Sequence, residues 1–480
     1  MADISWVCLS DTHFGAENSL LSHIPGGRAE VDPMRAGPVL ETLCQCLRDL
    51  VATNENGRRP TLVLNGDALE FALASDEVAA MAFERFVELV FGDGDPLFDD
   101  TIVYIPGNHD HHVWETARER QYARYVSKVP RTAPLGEPWH STYMFETERP
   151  EPLEAELLTA LVRRRGGPKL RVRVVYPNLA VANESGSRSV LFHHGHLVEP
   201  AYLLMSRIKG ALFPGQRRGE QVWDWEADNF AWIDFFWSTL GRSGSVGKDI
   251  GLVYDMLQDE RAVGELAGNL GRLTASRVPR PVRPILTPLF RGLARWGWQR
   301  AGDRERSRGE AVLSSTAERG LMQFVTGPLR LQLQGEEPEL ATLPTTFVFG
   351  HTHKPFERLQ EFAGFRSPVA VFNSGGWVVE TEQSVPLHGA SIILVDEDGE
   401  VAALRMFNQA DSRADYAVRL ADGLPGRSSR FHQHLADRLK LTTEPWPSFS
   451  AAVAKAVDQR HRLLPQIVER GIALTRKQAS

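Results

Sequence analysis

Five short polar motifs in this chain each follow a run of apolar, strand-forming residues. The runs cover residues 4–10, 61–65, 101–105, 189–192 and 345–349. The motifs after them are Asp11-Thr12-His13, Gly66-Asp67, Gly107-Asn108-His109-Asp110, His193-His194-Gly195-His196 and Gly350-His351-Thr352-His353. In open α/β sheets, ligands bind just beyond the carboxyl ends of strands. The pattern therefore predicts that motif residues far apart in sequence meet beyond the carboxyl ends of these strands.

Helical spacing of apolar residues separates the first strand runs. Residues 39–50 and 76–91 show this spacing. Strands that alternate with helices predict an α/β fold with a largely parallel sheet in the first half of the chain. Further strands are expected at residues 170–175, 179–183, 369–373, 391–395 and 401–407.

Composition shifts divide the chain into three parts. Residues 1–196 and 345–409 form a discontinuous core, and residues 410–480 form a C-terminal helical extension. The segment 197–344 between the two core pieces has helical patterning and no comparable strand runs. It contains six of the eleven tryptophans. We interpret this segment as a helical cap inserted into the core and rich in Trp and Arg.

The residue types in the motifs indicate a metal site. The candidate ligands supply imidazoles, carboxylates and one amide, and they are Asp11, His13, Asp67, Asn108, His194, His351 and His353. That mixture suits manganese, iron or zinc better than calcium, which prefers oxygen ligands alone. Seven ligands are too many for one tetrahedral ion and suit two ions that share a bridging carboxylate. Taken singly, each residue is typical of a helix cap, a turn or a structural histidine.

The ordered motifs resemble the five sequence blocks of the calcineurin-like metallophosphoesterase superfamily. The resemblance covers residues 3 to about 200 and 345 to about 407. It implies a four-layer α/β/β/α sandwich around two divalent ions, manganese first, with iron or zinc as alternatives. One ion would be held by Asp11, His13 and His353, and the other by Asn108, His194 and His351. Asp67 would bridge them.

The same resemblance implies a phosphoesterase reaction. A hydroxide between the two ions would attack a phosphomonoester or phosphodiester in line. His109 would face the phosphate and stabilise charge or protonate the leaving oxygen, and Asp110 would orient its ring. Glu70 is expected at most to form a hydrogen bond with a metal ligand, and not to bind the metal itself.

The cap is the main sequence signal for the substrate. Residues 271–310 hold ten arginines, and Phe290 and Trp296 lie on one predicted helix face. An amphipathic basic surface favours a bulky or amphiphilic substrate and contact with an anionic membrane surface; an ordinary helical lid is the alternative. Some local motifs are similar to those of UDP-2,3-diacylglucosamine hydrolases, but His109 stands where those enzymes carry Arg. We therefore do not transfer their substrate.

Charge and cysteine content limit the remaining function classes. A net charge of −7 is unlike the basic footprint of a general nucleic-acid binder. Nuclease activity within the same superfamily, with arginines on phosphates, is one alternative, and a non-catalytic metal-binding scaffold is another. Three scattered cysteines make no disulfide framework. Without a signal peptide or an apolar run of membrane-spanning length, the expected location is the cytoplasm, with peripheral membrane contact through the cap as an alternative.

Overall fold

The structure is a computed structural model, and its description covers ten stretches of the chain. They are residues 3–26, 29–92, 94–145, 153–213, 215, 219–234, 238–239, 309, 311–424 and 429–477. The basic run at residues 271–310, including Phe290 and Trp296, therefore lies outside the described residues apart from Gly309.

The first sheet has seven strands in the order β12-β11-β10-β1-β2-β3-β4. Its parallel part contains β1 (Ile4–Leu9), β2 (Thr61–Asn65), β3 (Thr101–Ile105) and β4 (Arg171–Val174). Its antiparallel part contains β10 (Gly389–Asp396), β11 (Val401–Asn408) and β12 (Arg419–Leu420). The predicted parallel sheet of the first half is thus confirmed, and it is extended by antiparallel strands from near the C-terminus.

The second sheet has five strands in the order β5-β6-β7-β9-β8. These strands are β5 (Asn178–Ala182), β6 (Ser189–His193), β7 (Thr345–Phe349), β8 (Phe356–Gln360) and β9 (Val369–Asn373). Strands β6 and β7 are parallel although about 150 residues of the sequence separate them. Strand β8 was not predicted from the sequence, because Glu357 and Arg358 break its apolar pattern.

Helices flank the strands along the chain. The core helices are α1 (Pro38–Val51), α2 (Asp76–Phe91), α3 (His112–Lys128) and α4 (Glu156–Gly166). Between β6 and β7 the described helices are α5 (Leu204–Leu212), α6 (Val222–Ile233), α7 (Ser315–Phe324), a π-helical turn (Val325–Leu329) and α8 (Arg330–Glu336). After β12 come α9 (Arg430–Arg438) and the long α10 (Trp446–Lys477).

The two sheets share a buried apolar layer. Cys8, Val63 and Val103 of the first sheet cluster with Phe192 and Val348 of the second. The residues next to them in the first strands, such as Val7, Leu62 and Leu64, point to the opposite face and pack with α1, α2 and α10. Both faces of these strands are therefore buried, which explains their nearly continuous apolar sequence. The second sheet packs its other face against α7 and α8. The architecture is mixed α/β and compatible with a layered α/β sandwich.

The strand register brings the motif-bearing ends level with one another. Leu9 lies opposite Leu64, and Asn65 lies opposite Ile105. In the second sheet His193 lies opposite Phe349. Because these pairs end their parallel strands together, the loops that follow them emerge at the same edge of each sheet.

Two further findings bear on the expectations from the sequence. The three cysteines are free and buried, as expected for thiols that form no disulfide framework. None of the described helices combines the length and the apolar character that crossing a membrane requires.

Candidate metal centre

Hydrogen bonds tie the motif loops to one another across the two sheets. The Asn65 side chain at the end of β2 donates to the carbonyl of His193 at the end of β6, at 3.1 Å. The backbone N–H of His351 donates to both carboxylate oxygens of Asp11, and that of His109 donates to Asp67 at 2.7 Å. The loops are therefore held in one fixed arrangement before any ligand is considered.

Backbone strain concentrates at the predicted ligands. Among the described residues, five residues other than glycine have positive φ: Asp11, His13, Asp67, His351 and His353, with values between 44° and 70°. All five belong to the seven predicted ligands. Such conformations cost of order 1–3 kcal/mol each and persist where surrounding structure enforces them, which is typical of functional sites.

At two motif positions, another candidate ligand comes so close to the backbone that only glycine fits. A Cβ at Gly66 would collide with the His194 ring, and one at Gly107 would collide with the Asp67 carboxylate. Glycine therefore lets ligands from different motifs come together at these two positions.

The side chains form overlapping groups that could hold a metal ion. In one group Asp11, His13 and His353 offer atoms that all lie within 4.8 Å of one another, and in a second group Asp67, His194 and His351 do the same. The Asn108 amide oxygen lies 3.1 Å from Nε2 of His194, so it joins the second group. The first group equals one predicted ligand set, and the second contains His194 and His351 of the other set together with the predicted bridge, Asp67.

Asp67 lies between the two groups. Its Oδ2 is 3.7 Å from Nε2 of His13 and 3.3 Å from Nε2 of His194. A third candidate group combines His13, Asp67 and His109, so His109, which the sequence analysis set apart from the ligands, also lies within ligand distance. A carboxylate in this position could contact ions on both sides.

Each candidate histidine ligand has an oxygen close to its second ring nitrogen, in hydrogen-bond geometry for His13, His194 and His353. Nδ1 of His13 faces Glu70 at 2.7 Å, and Nδ1 of His194 faces the Asn65 carbonyl at 3.1 Å. The remaining two pairs are Nε2 of His351 with Glu199 at 3.0 Å and Nδ1 of His353 with Glu380 at 3.0 Å. Acceptors of this kind fix the tautomer and the ring orientation of metal-binding histidines. The imidazoles are thus oriented as ligands would be.

The sequence analysis missed Glu199 and Glu380. Glu199 follows the His-Gly-His motif by three residues, and Glu380 lies in a loop after β9 with no motif of its own. A carboxylate three residues after a ligand motif is a weak signal, and nothing in sequence marked Glu380.

The orienting role predicted for Asp110 belongs to Glu70. Nδ1 of His109 lies 2.8 Å from Glu70. The Asp110 carboxylate instead accepts the backbone N–H groups of Gly107, Ala68 and Leu69 at 2.6–3.2 Å. Asp110 therefore joins the second and third motifs and positions the His109 backbone, while Glu70 orients the His109 ring.

Charge coupling within the centre changes several pKa values. Burial favours a raised pKa for Asp67, but the His194, His109 and His13 rings outweigh it and hold that pKa well below its usual range. The same competition, with His109 and His13 as partners, lowers the pKa of Glu70 to about 2. Burial lowers the pKa of His194, but Asp67 and Asp11 outweigh that effect and raise it to about 9. The carboxylates are therefore ionised at neutral pH, as metal ligands must be.

The other motif histidines are buried to different degrees. His111, His193 and His196 are fully buried, and His112 is partly buried. His111 and His196 face Glu226, a buried carboxylate on α6, at 3.8 Å and 3.7 Å. A charged residue of the cap segment therefore docks directly behind the motif loops.

The geometry brings together all seven predicted ligands, and it adds Glu70, Glu199 and Glu380 behind their rings. Imidazole and carboxylate donors that converge from separate loops fit a divalent transition metal. No protein-family model and no curated protein matches this chain. Its site is therefore interpreted from its own residues and geometry.

Proposed function

We propose that this protein is a metal-dependent phosphoesterase with two divalent ions. The observation that carries the proposal is the position of Asp67, whose one carboxylate oxygen approaches histidines of two separate ligand groups. A single carboxylate shared in this way is the arrangement that a two-ion site needs. The mixed imidazole and carboxylate set favours manganese, with iron or zinc as alternatives.

The proposed ligand division follows the two groups. Asp11, His13 and His353 would hold one ion; Asn108, His194 and His351 would hold the other; Asp67 would bridge. When bound, the pair of ions would polarise the phosphoryl group and lower the pKa of a nearby water.

His109 is the proposed acid. Its Nδ1 is held by Glu70, so the proton available to a substrate is the one on Nε2. That nitrogen would protonate the leaving oxygen or stabilise charge on the phosphoryl group. Glu70 supports this role, because it is the partner of Nδ1 in both His109 and the proposed ligand His13.

We also propose that the protein belongs to the calcineurin-like metallophosphoesterases, and its layered α/β architecture supports this proposal. The cap would then form one wall of the substrate cleft, because its two ends follow the ligand His194 and precede the ligand His351 in sequence. A bulky or amphiphilic phosphoester is the proposed substrate class, with the cytoplasm as the proposed compartment and the cap as the proposed contact with a membrane surface.

A hydrolysis panel tests the proposal. Purified full-length protein would be loaded with Mn, Fe or Zn and offered nitrophenyl phosphate, bis-nitrophenyl phosphate, nucleotides, single-stranded DNA and phospholipids. We expect metal-dependent release of nitrophenol that disappears in the Asp67→Asn variant. Preferential, strongly salt-dependent DNA cleavage would favour the nuclease alternative. Metal binding without turnover on any substrate would favour the scaffold.

A further inference from the structure

A second cleft, of about 700 Å³, lies between the loop after the first motif, the start of α1 and helix α10. Its lining includes no metal ligand. Among the described residues that line it, none is an acid and four have cationic or titratable basic side chains, namely His23, Lys455, Arg460 and Arg462. Its size falls in the range of small-molecule sites.

Arg460 is a buried cation that pairs with no carboxylate among the described residues. Only 3% of the residue is exposed. One terminal nitrogen donates to the carbonyls of Ser19 and Ser22 at 2.7 Å and 2.6 Å, and the other donates to Gln459 at 3.2 Å. Nε is buried and has no hydrogen-bond partner among the described residues. A buried charge that only neutral groups contact is costly.

Burial alone lowers the pKa of Arg460 to about 10. The guanidinium is therefore still charged at neutral pH. No acid in the described part of the chain offsets this burial, so the wall of the cleft retains an uncompensated positive charge.

The amino end of α1 opens into the same cleft. Gly37, Pro38 and Val39 line it, and the helix has no side-chain cap. The first N–H groups of a helix lack internal partners and carry partial positive charge, which favours anions. Glu41 in the first turn is exposed and is not part of the lining. Helix α1 has fourteen residues, so its terminal dipole is fully developed.

Apolar side chains complete the lining: Leu20, Ile24, Val39, Ala452, Ala456 and Leu463. An inorganic anion alone would leave this surface without a partner. We propose that the cleft binds an amphiphilic organic anion, with a phosphate-type head at Arg460 and the α1 amino end and a short apolar portion along α10. The proposal is independent of the proposed phosphoesterase activity.

The test measures binding of octyl phosphate and inorganic phosphate to the full-length protein by calorimetry. We expect octyl phosphate to bind more tightly than inorganic phosphate. The double variant Lys455→Ala/Arg462→Ala should weaken octyl phosphate binding about tenfold, because the two cationic rim groups that attract the anionic head are lost. Both changed residues are exposed or at the cleft rim, so the fold should survive. Arg460→Met should weaken binding further, and its thermal unfolding would be checked.

Two control proteins locate the binding. Arg131→Ala/Lys440→Ala removes the same charge from exposed positions outside the cleft and should bind octyl phosphate as the wild type does. His351→Ala disables the metal centre and should also retain binding. Loss of binding in His351→Ala, or unchanged affinity in Lys455→Ala/Arg462→Ala, would overturn the proposal. Failure of the wild type to bind octyl phosphate, or equal affinity for inorganic phosphate, would overturn it too.

Vesicles identify the source of the anion. If phosphatidylcholine vesicles containing phosphatidic acid bind the wild type but not the Lys455→Ala/Arg462→Ala variant, the head belongs to a lipid surface. If such vesicles do not bind while octyl phosphate does, the occupant is a soluble amphiphile. Either result supports the site and assigns its ligand.

Discussion

The candidate metal centre and the Arg460 cleft bury opposite charges in different ways. At the metal centre, Asp11 and Asp67 are fully buried beside histidines, and their pKa values are held low. At the cleft, Arg460 is buried against neutral groups: the backbone carbonyls of Ser19 and Ser22 and the side-chain oxygen of Gln459. The first site therefore has several negative groups around a space for a cation, and the second has a positive group beside a space for an anion.

Rigidity also separates the two sites. The candidate metal centre combines five strained backbone positions with an oxygen close to the second ring nitrogen of each candidate histidine ligand. The cleft is formed by a loop and two helix surfaces, and two of its basic residues, Lys455 and Arg462, are exposed. Strain with fixed orientation suits metal coordination and catalysis. A rim of exposed charges suits reversible binding of an amphiphile. The predictions below test this contrast.

The largest effect is expected from Asp67→Asn. An amide lacks the charge that a bridging carboxylate supplies to both groups, so the variant should lose both ions and its hydrolytic activity. Elemental analysis and nitrophenyl phosphate hydrolysis would measure these losses. Asp95→Asn, at a position 97% exposed, is the matched control and should behave as the wild type. Retention of both tightly held ions by Asp67→Asn would contradict the bridging role.

His109→Ala should keep the metals and slow hydrolysis by about 10²–10⁴, the usual range for a positioned general acid. The loss should be smaller for a nitrophenol ester, because that leaving group needs little protonation. Rates for good and poor leaving groups, with metal content measured alongside, would check this. Equal losses would indicate charge stabilisation instead, and loss of metal would make His109 a ligand.

Glu380→Gln and Glu199→Gln should each weaken metal affinity by about 10–100-fold. Both carboxylates face the second nitrogen of a ligand histidine, and such partners tune affinity over that range. Competition with a metal chelator would give the affinities. Glu382→Gln, two residues from Glu380 and exposed, should leave affinity unchanged. If the two buried variants match it, the acceptors contribute only to packing.

Metal binding at neutral pH should release protons. The pKa of His194 is raised to about 9, so below that pH its ring carries a proton that coordination must displace. Affinity should therefore rise as pH rises toward 9 and fall as pH falls. Calorimetric titration of metal into metal-free protein in buffers of different ionisation enthalpy would count up to about one proton from this ring. Binding heats independent of the buffer would argue against the coupling.

The smallest effect is expected on stability from Arg460→Met. Two loop carbonyls lose their donor, which costs about 1–3 kcal/mol, while removal of an uncompensated buried charge offsets much of it. The net change in the free energy of unfolding should be within about 1 kcal/mol by chemical denaturation. The exposed Arg131→Met is the control. A large destabilisation would mean that Arg460 mainly clamps the loop.

The sequence alone determined the local elements and the ligand types. Strands such as Thr61–Asn65 and Thr345–Phe349 and the helix Asp76–Phe91 have the predicted bounds, because apolar runs and helical spacing are local properties of the chain. The seven candidate ligands could also be identified, since each motif is a few consecutive residues after a strand and the ordered motifs resemble those of a known family. Helices α3 and α4 were not predicted, because they contain many charged residues and their apolar pattern is weak.

Only the tertiary structure decided which groups face one another. Glu380 behind His353, Glu70 rather than Asp110 behind His109, and Arg460 beneath the carbonyls of Ser19 and Ser22 are contacts between distant parts of the chain. An isolated glutamate or arginine has the same sequence signature whether it is solvated or buried. Its role follows from burial and from the charges packed around it, and the chain acquires those only when its strands and helices come together.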